Sequence, residues 1–241
     1  MKREDLDGLE LTWGNFEAMD KLIRKIAFRE GVGNLLAEGT KRAAEKIGRG
    51  TGVYAMQGKG LEFAAHDVRG KSTWTGVGTP IGQATSSRGV GDHLTDLPSW
   101  ADSAGLCTWA ALNIPSEEYD EYVVSFIKAA TGWNYTKEEK TTHFNRIITL
   151  RRTYNVMQGI RREDDTLPER FFTEPIPYGP HKGKIVDRKE FQHQLDLYYE
   201  DNGWNMDGIP TKETLMKLDM EDVYRKLKRS DIQIDKNEST E

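Results

Sequence analysis

Asp102-Ser103-Ala104-Gly105-Leu106-Cys107-Thr108-Trp109 carries the only cysteine of the 241-residue chain. A carboxylate, Asp102, precedes that thiol, and the glycine between them reaches backbone conformations closed to other residues, so the chain can approach a neighbouring group closely. Two readings are open. A lone cysteine is commonly a buried, inert, small hydrophobe. Alternatively, Cys107 is one ligand of an iron–sulfur cluster whose remaining thiolates lie elsewhere, because such a cluster needs several. On the second reading these residues are only part of the working protein.

The composition sets wide bounds. With 30% charged residues and a net charge of -5, the chain has the profile of an ordinary soluble globule, long enough for one large domain or two modest ones. No basic stripe interleaved with aromatics is present, so nucleic acid is not an expected partner. No apolar run approaches a membrane span, and Met1-Lys2-Arg3-Glu4-Asp5 opens no signal-peptide core, so no membrane partner is expected either. One thiol forbids an internal disulfide framework, which suits a reducing compartment; cytoplasmic localisation is the expectation.

Upstream of the cysteine, from Gly48 to about Trp100, glycines interrupt the pattern too often for continuous helix. Loops of this length are uncommon in compact domains unless they do a job. Polar clusters punctuate this loop: Lys59, His66-Asp67-Val68-Arg69, Ser86-Ser87-Arg88 and Asp92-His93. They read either as solvated surface charge or as a cofactor wall, where backbone N–H groups and arginines meet an anion. No Walker or dinucleotide fingerprint accompanies them.

Further upstream, Asp7 to Gly14 reads as a turn and Asn15 as an N-cap. Phe16, Met19, Leu22, Ile23 and Ile26 follow at helical spacing up to a stop at Gly31. A second helix is expected from Leu35 to Ile47, bounded by Asn34 and Gly48, giving a core-building helical hairpin. Downstream of Cys107, a helix carries Tyr119, Tyr122, Val123, Phe126 and Ile127 on one face. The capping box Thr136-Lys137-Glu138-Glu139 opens another, with Phe144, Ile147, Ile148, Leu150 and Tyr154. His143 beside that apolar face reads as a packed or half-exposed histidine. Pro168, Pro175, Pro177 and Pro180 impose an irregular arm before a helix with Phe191, Leu195, Tyr198 and Tyr199. A last helix is expected around Leu215 and Leu218, and the charged tail from Lys226 to Glu241 is expected to fray. The fold class is mainly α, multihelical, with a long glycine-rich irregular loop region. Asp5-Leu6-Asp7-Gly8-Leu9 echoes Asp102 to Leu106.

Asp102-xx-Gly105-Leu106-Cys107 resembles a signature of the tungsten-pterin aldehyde:ferredoxin oxidoreductase family. Other segments resemble the same family in the same order: Asp7 to Asn15, Ile26 to Gly31, Leu35 to Gly39, Lys59-Gly60-Leu61-Glu62, Asp67-Val68-Arg69-Gly70, Ala84 to Gly89, Asp164 to Phe171 and Gly203 to Pro210. The resemblance implies a bis-pterin tungsten (or molybdenum) centre, an adjacent [4Fe–4S] cluster, and oxidation of aldehydes to carboxylic acids with ferredoxin as electron acceptor. Carried over residue by residue, it makes Asp102 and Leu106 pterin contacts and Cys107 a cluster ligand. In Arg88-Gly89-Val90-Gly91-Asp92-His93-Leu94, Arg88 becomes a pterin-side contact and His93 a proton-transfer residue, the alternative for His93 being an ordinary surface-loop histidine. A carboxylate accepting pterin N–H bonds and a thiolate on iron are chemically apt.

Two features depart from the family pattern: Arg88 and His93 are one residue further apart, and the connection from His93 to Asp102 is much shorter. The resemblance places residues 1–59 at the end of the family's helical second domain and 60–241 in its helical third domain. The family's pterin-gripping sheet domain and its other cluster cysteines would then come from an N-terminal portion on another chain or absent from this piece, and both cofactors would require it. Related tungsten enzymes act instead on aromatic acyl thioesters or hydroxy acids. A non-catalytic helical remnant or interaction module is the alternative from another class.

Overall fold

The protein is described by a computed structural model over residues 3–63, 80–87, 103–107, 118–230, 232 and 234. Helix α1 (Phe16–Phe28) begins as expected at Asn15, whose side-chain oxygen accepts from Ala18 N–H at 3.1 Å. It ends earlier than expected, at Arg29 with a φ of 56°, and Gly31 opens α2 (Val32–Leu36) instead of closing α1. The helix expected from Leu35 to Ile47 is broken: Gly39, at a φ of 85°, separates α2 from α3 (Thr40–Ile47). The free N-terminus of α3 is satisfied from a distance, Thr40 N–H donating to Glu62 Oε1 at 2.6 Å. The core-building role expected of α1 does not hold for its whole apolar stripe. Ala18 is its buried residue, while Phe16, Met19 and Ile23 are exposed.

A short antiparallel pair follows, β1 (Gln57–Gly58) with β2 (Leu61–Glu62), turning through Lys59 and Gly60, both at positive φ. Among the described residues, β-structure is confined to this pair and an isolated bridge between Trp204 and Pro210. Helix α4 (Pro80–Thr85) interrupts the glycine-rich stretch.

Among the described residues, the remaining α-helices are α5 (Tyr119–Thr131), α6 (Lys137–Met157), α7 (Arg170–Thr173), α8 (Arg188–Asp201), α9 (Lys212–Lys217) and α10 (Glu221–Arg229). The capping box of α6 is formed in both directions, Glu139 N–H to Thr136 Oγ1 at 3.1 Å and Thr136 N–H to Glu139 Oε2 at 2.9 Å. Mainly helical architecture is therefore what the chain adopts. Among the described residues, its inner surfaces form two large apolar clusters and a small one around Tyr119 and Val123. Ile148, Phe171, Phe191, Leu195, Tyr199 and Trp204 build one of the large clusters, and Val156, Ile209, Leu215, Val223 and Leu227 build the other. The first part of the tail departs from expectation: α10 runs through Lys226 to Arg229, Leu227 is fully buried, and Ile232 and Ile234 pack against the second cluster, while residues 235–241 lie outside the described residues. A leucine at the right helical phase supplies the burial that the charge-rich composition obscures. Among the described residues, no helix is long and apolar enough to cross a membrane.

Between the clusters lies a charged lattice. Asp165 is buried, and its Oδ2 accepts from Arg152 Nη1 and Tyr199 Oη, each at 2.6 Å. Its Oδ1 is 2.8 Å from Lys59 Nζ. Arg152 also donates through Nε to the Gly208 carbonyl at 2.6 Å, and its guanidinium lies 5.3 Å from the Trp204 ring centre. Gly208 sits at a φ of 71°, and a Cβ there would collide with this guanidinium and the Tyr199 ring. One carboxylate thus ties the hairpin turn, α6, α8 and the Gly208 turn together. Burial, and then the charge of Asp165, push the Tyr199 phenol well above its usual range.

Two outcomes are expected in urea melts. Leu227→Ala should cost about 2–5 kcal/mol, as for a filled core position, where a frayed tail would give almost nothing. The raised phenol pKa means that Tyr199's contribution is complete below the ordinary tyrosine value of about 10 and is lost as pH rises beyond it. Tyr199→Phe should therefore be less stable than wild type at neutral pH, with the difference shrinking above about pH 10.

Candidate functional site

The lattice reaches toward the residues that the sequence singles out through Lys59. Besides Asp165, its ammonium donates to the Ala84 carbonyl in α4. Lys59 is not a solvated loop charge: its side chain is 7% exposed, and burial lowers its pKa against the opposing pull of Asp165. Gln83, Ala84, Thr85 and Ser86 are all buried, and Arg151 Nη1 makes a long contact of 3.4 Å with Ser87 Oγ. The segment leading into Arg88 is therefore clamped from below. Arg88, His93 and Asp102 themselves lie outside the described residues, as do His66, Asp67, Arg69 and Asp92.

Residues 103–107 form a turn in which Gly105 takes a φ of 72°, the left-handed conformation that glycine permits without strain. Leu106 is half-buried and packs on the small cluster of Tyr119 and Val123 in α5. Cys107 is exposed. The turn thus anchors its leucine inward and leaves the next side chain, the thiol, outside. The thiol is therefore not buried as in the first reading. Among the described residues, no group of three or more His, Cys, Asp or Glu side chains could hold a metal ion. Any cluster on Cys107 would accordingly draw its other ligands from beyond them.

His143 is occupied elsewhere: its Nδ1 lies 2.9 Å from Tyr135 Oη and its ring stacks on that tyrosine at 5.5 Å. This is the packed histidine anticipated. A cleft of about 690 Å³ runs along Asn145, Glu200, Trp204 and Thr214 and includes no residue of the cysteine turn. Sequence reasoning missed Arg152, Asp165 and Tyr199 as a unit. A signal existed for Arg152, which shares the inward phase of Ile148 and Val156 on α6, where an unpaired arginine would be untenable.

Comparison with known proteins bears on the whole of this frame. The family model described as aldehyde ferredoxin oxidoreductase, domains 2 and 3, matches residues 1–98 and 92–220. An aliphatic sulfonate oxidoreductase, WOR-like subunit, of Pyrococcus furiosus is 35% identical over 252 residues, covering 95% of this chain and 38% of the relative. A tungsten-containing aldehyde ferredoxin oxidoreductase of the same organism is 34% identical, covering 93% and 40%. The corresponding enzyme of Thermococcus kodakarensis is 32% identical, covering 88% and 38%. The chain thus spans about two fifths of the length of these relatives. Among solved structures, the active site complex BamBC of benzoyl coenzyme A reductase in complex with 1,5-dienoyl-CoA shares the fold, with a TM-score of 0.67 and 22% identity over 97% of this chain and 43% of that one. The helical frame, its collinear motifs and a family match running from residue 1 to residue 220 lead to one conclusion: the chain belongs to the aldehyde ferredoxin oxidoreductase family of oxidoreductases, of which it matches a C-terminal portion.

Proposed function

We propose that this chain is the C-terminal, cofactor-enclosing portion of a tungsten-pterin, iron–sulfur oxidoreductase that oxidises aldehydes to carboxylic acids and passes the electrons to ferredoxin. It works with a pterin-binding portion supplied outside these residues. The observation that carries the reading is the exposed Cys107 thiol, held at the end of a turn pinned by Leu106 and shaped by Gly105. A thiol that faces outward, at the position the family motif gives to an iron ligand, fits a cluster whose other thiolates come from elsewhere. In this reading Asp102, Leu106 and Arg88 hold the pterin, Cys107 ligates the cluster, and His93 holds or passes a proton, as an imidazole can near neutral pH. When bound, the tungsten (or molybdenum) centre supplies two-electron redox chemistry and the cluster relays electrons singly. Lys59 fixes the backbone at Ala84 and so helps to position the segment from which Arg88 emerges. Residues 1–59 then close the family's second domain and 60–241 form its third.

A second substrate reading is an aliphatic sulfonate. It is favoured by the 35% identity to the sulfonate oxidoreductase subunit, equal in practice to the 34% identity to the aldehyde enzyme. Co-production with the polypeptide of the same organism that matches the remainder of these relatives should yield a complex containing tungsten and iron. That complex should reduce a viologen dye with an aldehyde, or with an alkyl sulfonate on the second reading. Cys107→Ala should change the stability of the isolated chain by no more than about 1 kcal/mol, in keeping with an exposed position. In the complex it should lower the iron content measured by elemental analysis. Wild-type iron in the Cys107→Ala complex would remove the thiol from the ligand set and the reading with it.

A further inference from the structure

Helix α8 ends on two carboxylates, Glu200 and Asp201, with no basic residue in its last turn. Unpaired carbonyls already make a helix C-terminus partly negative, so acids there are repelled and lysine or arginine is the favourable choice. Both side chains are exposed, and neither forms an ion pair among the described residues. Asp196, one turn earlier, is by contrast held by Arg162 at 2.6 Å. The acids at the opposite end of the helix have an ordinary explanation. Asp187 caps α8 by accepting from Glu190 N–H at 2.8 Å, and both sit where the helix favours negative charge. Glu200 and Asp201 break the rule that those two obey, and such breaches concentrate at functional surfaces.

Asp201 borders two concavities. One is the polar cleft already described, which Glu200 also lines; Lys217 lines it too but pairs with neither acid. The other is an apolar groove of about 610 Å³ between α4 and α8. Val186 and Phe191 are buried beneath it, while Ile185 and Leu197 are 44% and 40% exposed on its sides. No lysine or arginine stands among its described lining residues. Apolar area next to uncompensated negative charge is complementary to a chain segment that pairs apolar side chains with cations. A second copy of this chain meets it poorly, because a two-fold contact would set the same acids against themselves. We propose that the α4–α8 groove and the end of α8 form a docking surface for a partner polypeptide. Its contact segment seats apolar side chains in the groove and lysine or arginine against Glu200 and Asp201. This surface stands apart from the cofactor reading, which involves none of these residues.

The test uses the full chain and three synthetic amphipathic peptides as probes, one of leucine and lysine, one with glutamate for lysine and one with serine for leucine. Calorimetry should show binding of the leucine–lysine peptide, and at least tenfold weaker binding of the other two. Glu200→Gln/Asp201→Asn should weaken the leucine–lysine peptide at least fivefold, whereas Glu17→Gln/Asp20→Asn, which removes the same charge from α1, should leave it unchanged. Without peptide, Glu200→Gln/Asp201→Asn should melt no lower than wild type, because the acids are opposed by their own helix. A lower melting point makes them structural and overturns the proposal. So does equal weakening by the α1 variant, equal binding of the serine–lysine peptide, or no binding by wild type. A wild-type homodimer that Ile185→Asp/Leu197→Asp dissolves, with peptide affinity unchanged, makes a second copy the occupant and overturns it as well.

Discussion

A single buried carboxylate holds the architecture together. Asp165 has no exposed side-chain surface, yet it meets a lysine, an arginine and a tyrosine from three separate parts of the chain. A lone ion in that position would carry a desolvation penalty of several kcal/mol. The cluster persists because the carboxylate is supplied with donors from opposite sides and because Arg152 is steadied by the Gly208 carbonyl and the Trp204 ring. An aliphatic core could match such a cluster in stability, whereas removing one partner from this one would strand a buried charge.

That constraint extends into the region where chemistry is proposed. Lys59 connects the lattice to the α4 backbone, a few residues before Arg88, and Leu106 ties the cysteine turn to α5. Neither contact touches a reacting atom. Both restrict where a neighbouring side chain emerges, which is the support that cofactor-binding groups need if they are to be held within a fraction of an ångström.

How much of this was legible in the sequence depended on the range of the interaction. Caps were readable because they are local: Asn15 and the Thr136–Glu139 box bond to residues three positions away, and the structure shows both. The division of the expected second helix at Gly39 was not, because the cap that replaces it comes from Glu62, in another element. Periodicity revealed an apolar stripe on α1 but not whether anything lies against it, and Phe16 and Ile23 proved to be exposed. The start of the tail was misjudged for the converse reason: one leucine, Leu227, is buried there, and average composition does not register a single side chain. Of the site, the residue types of the cysteine motif could be read directly, whereas the outward presentation of the thiol could not. Asp165 looked like one acid in a run of charges, since nothing nearby in the chain names Lys59 as its partner.

Helix α6 has a further consequence. Ile148 belongs to one apolar cluster, Val156 to the other, and Arg152 between them to the ionic lattice. The two clusters therefore share one rod of backbone, and neither can come apart without disturbing the phase of side chains in the other. Loss of order at either end should spread along this shaft, so that the clusters melt in concert as one cooperative unit.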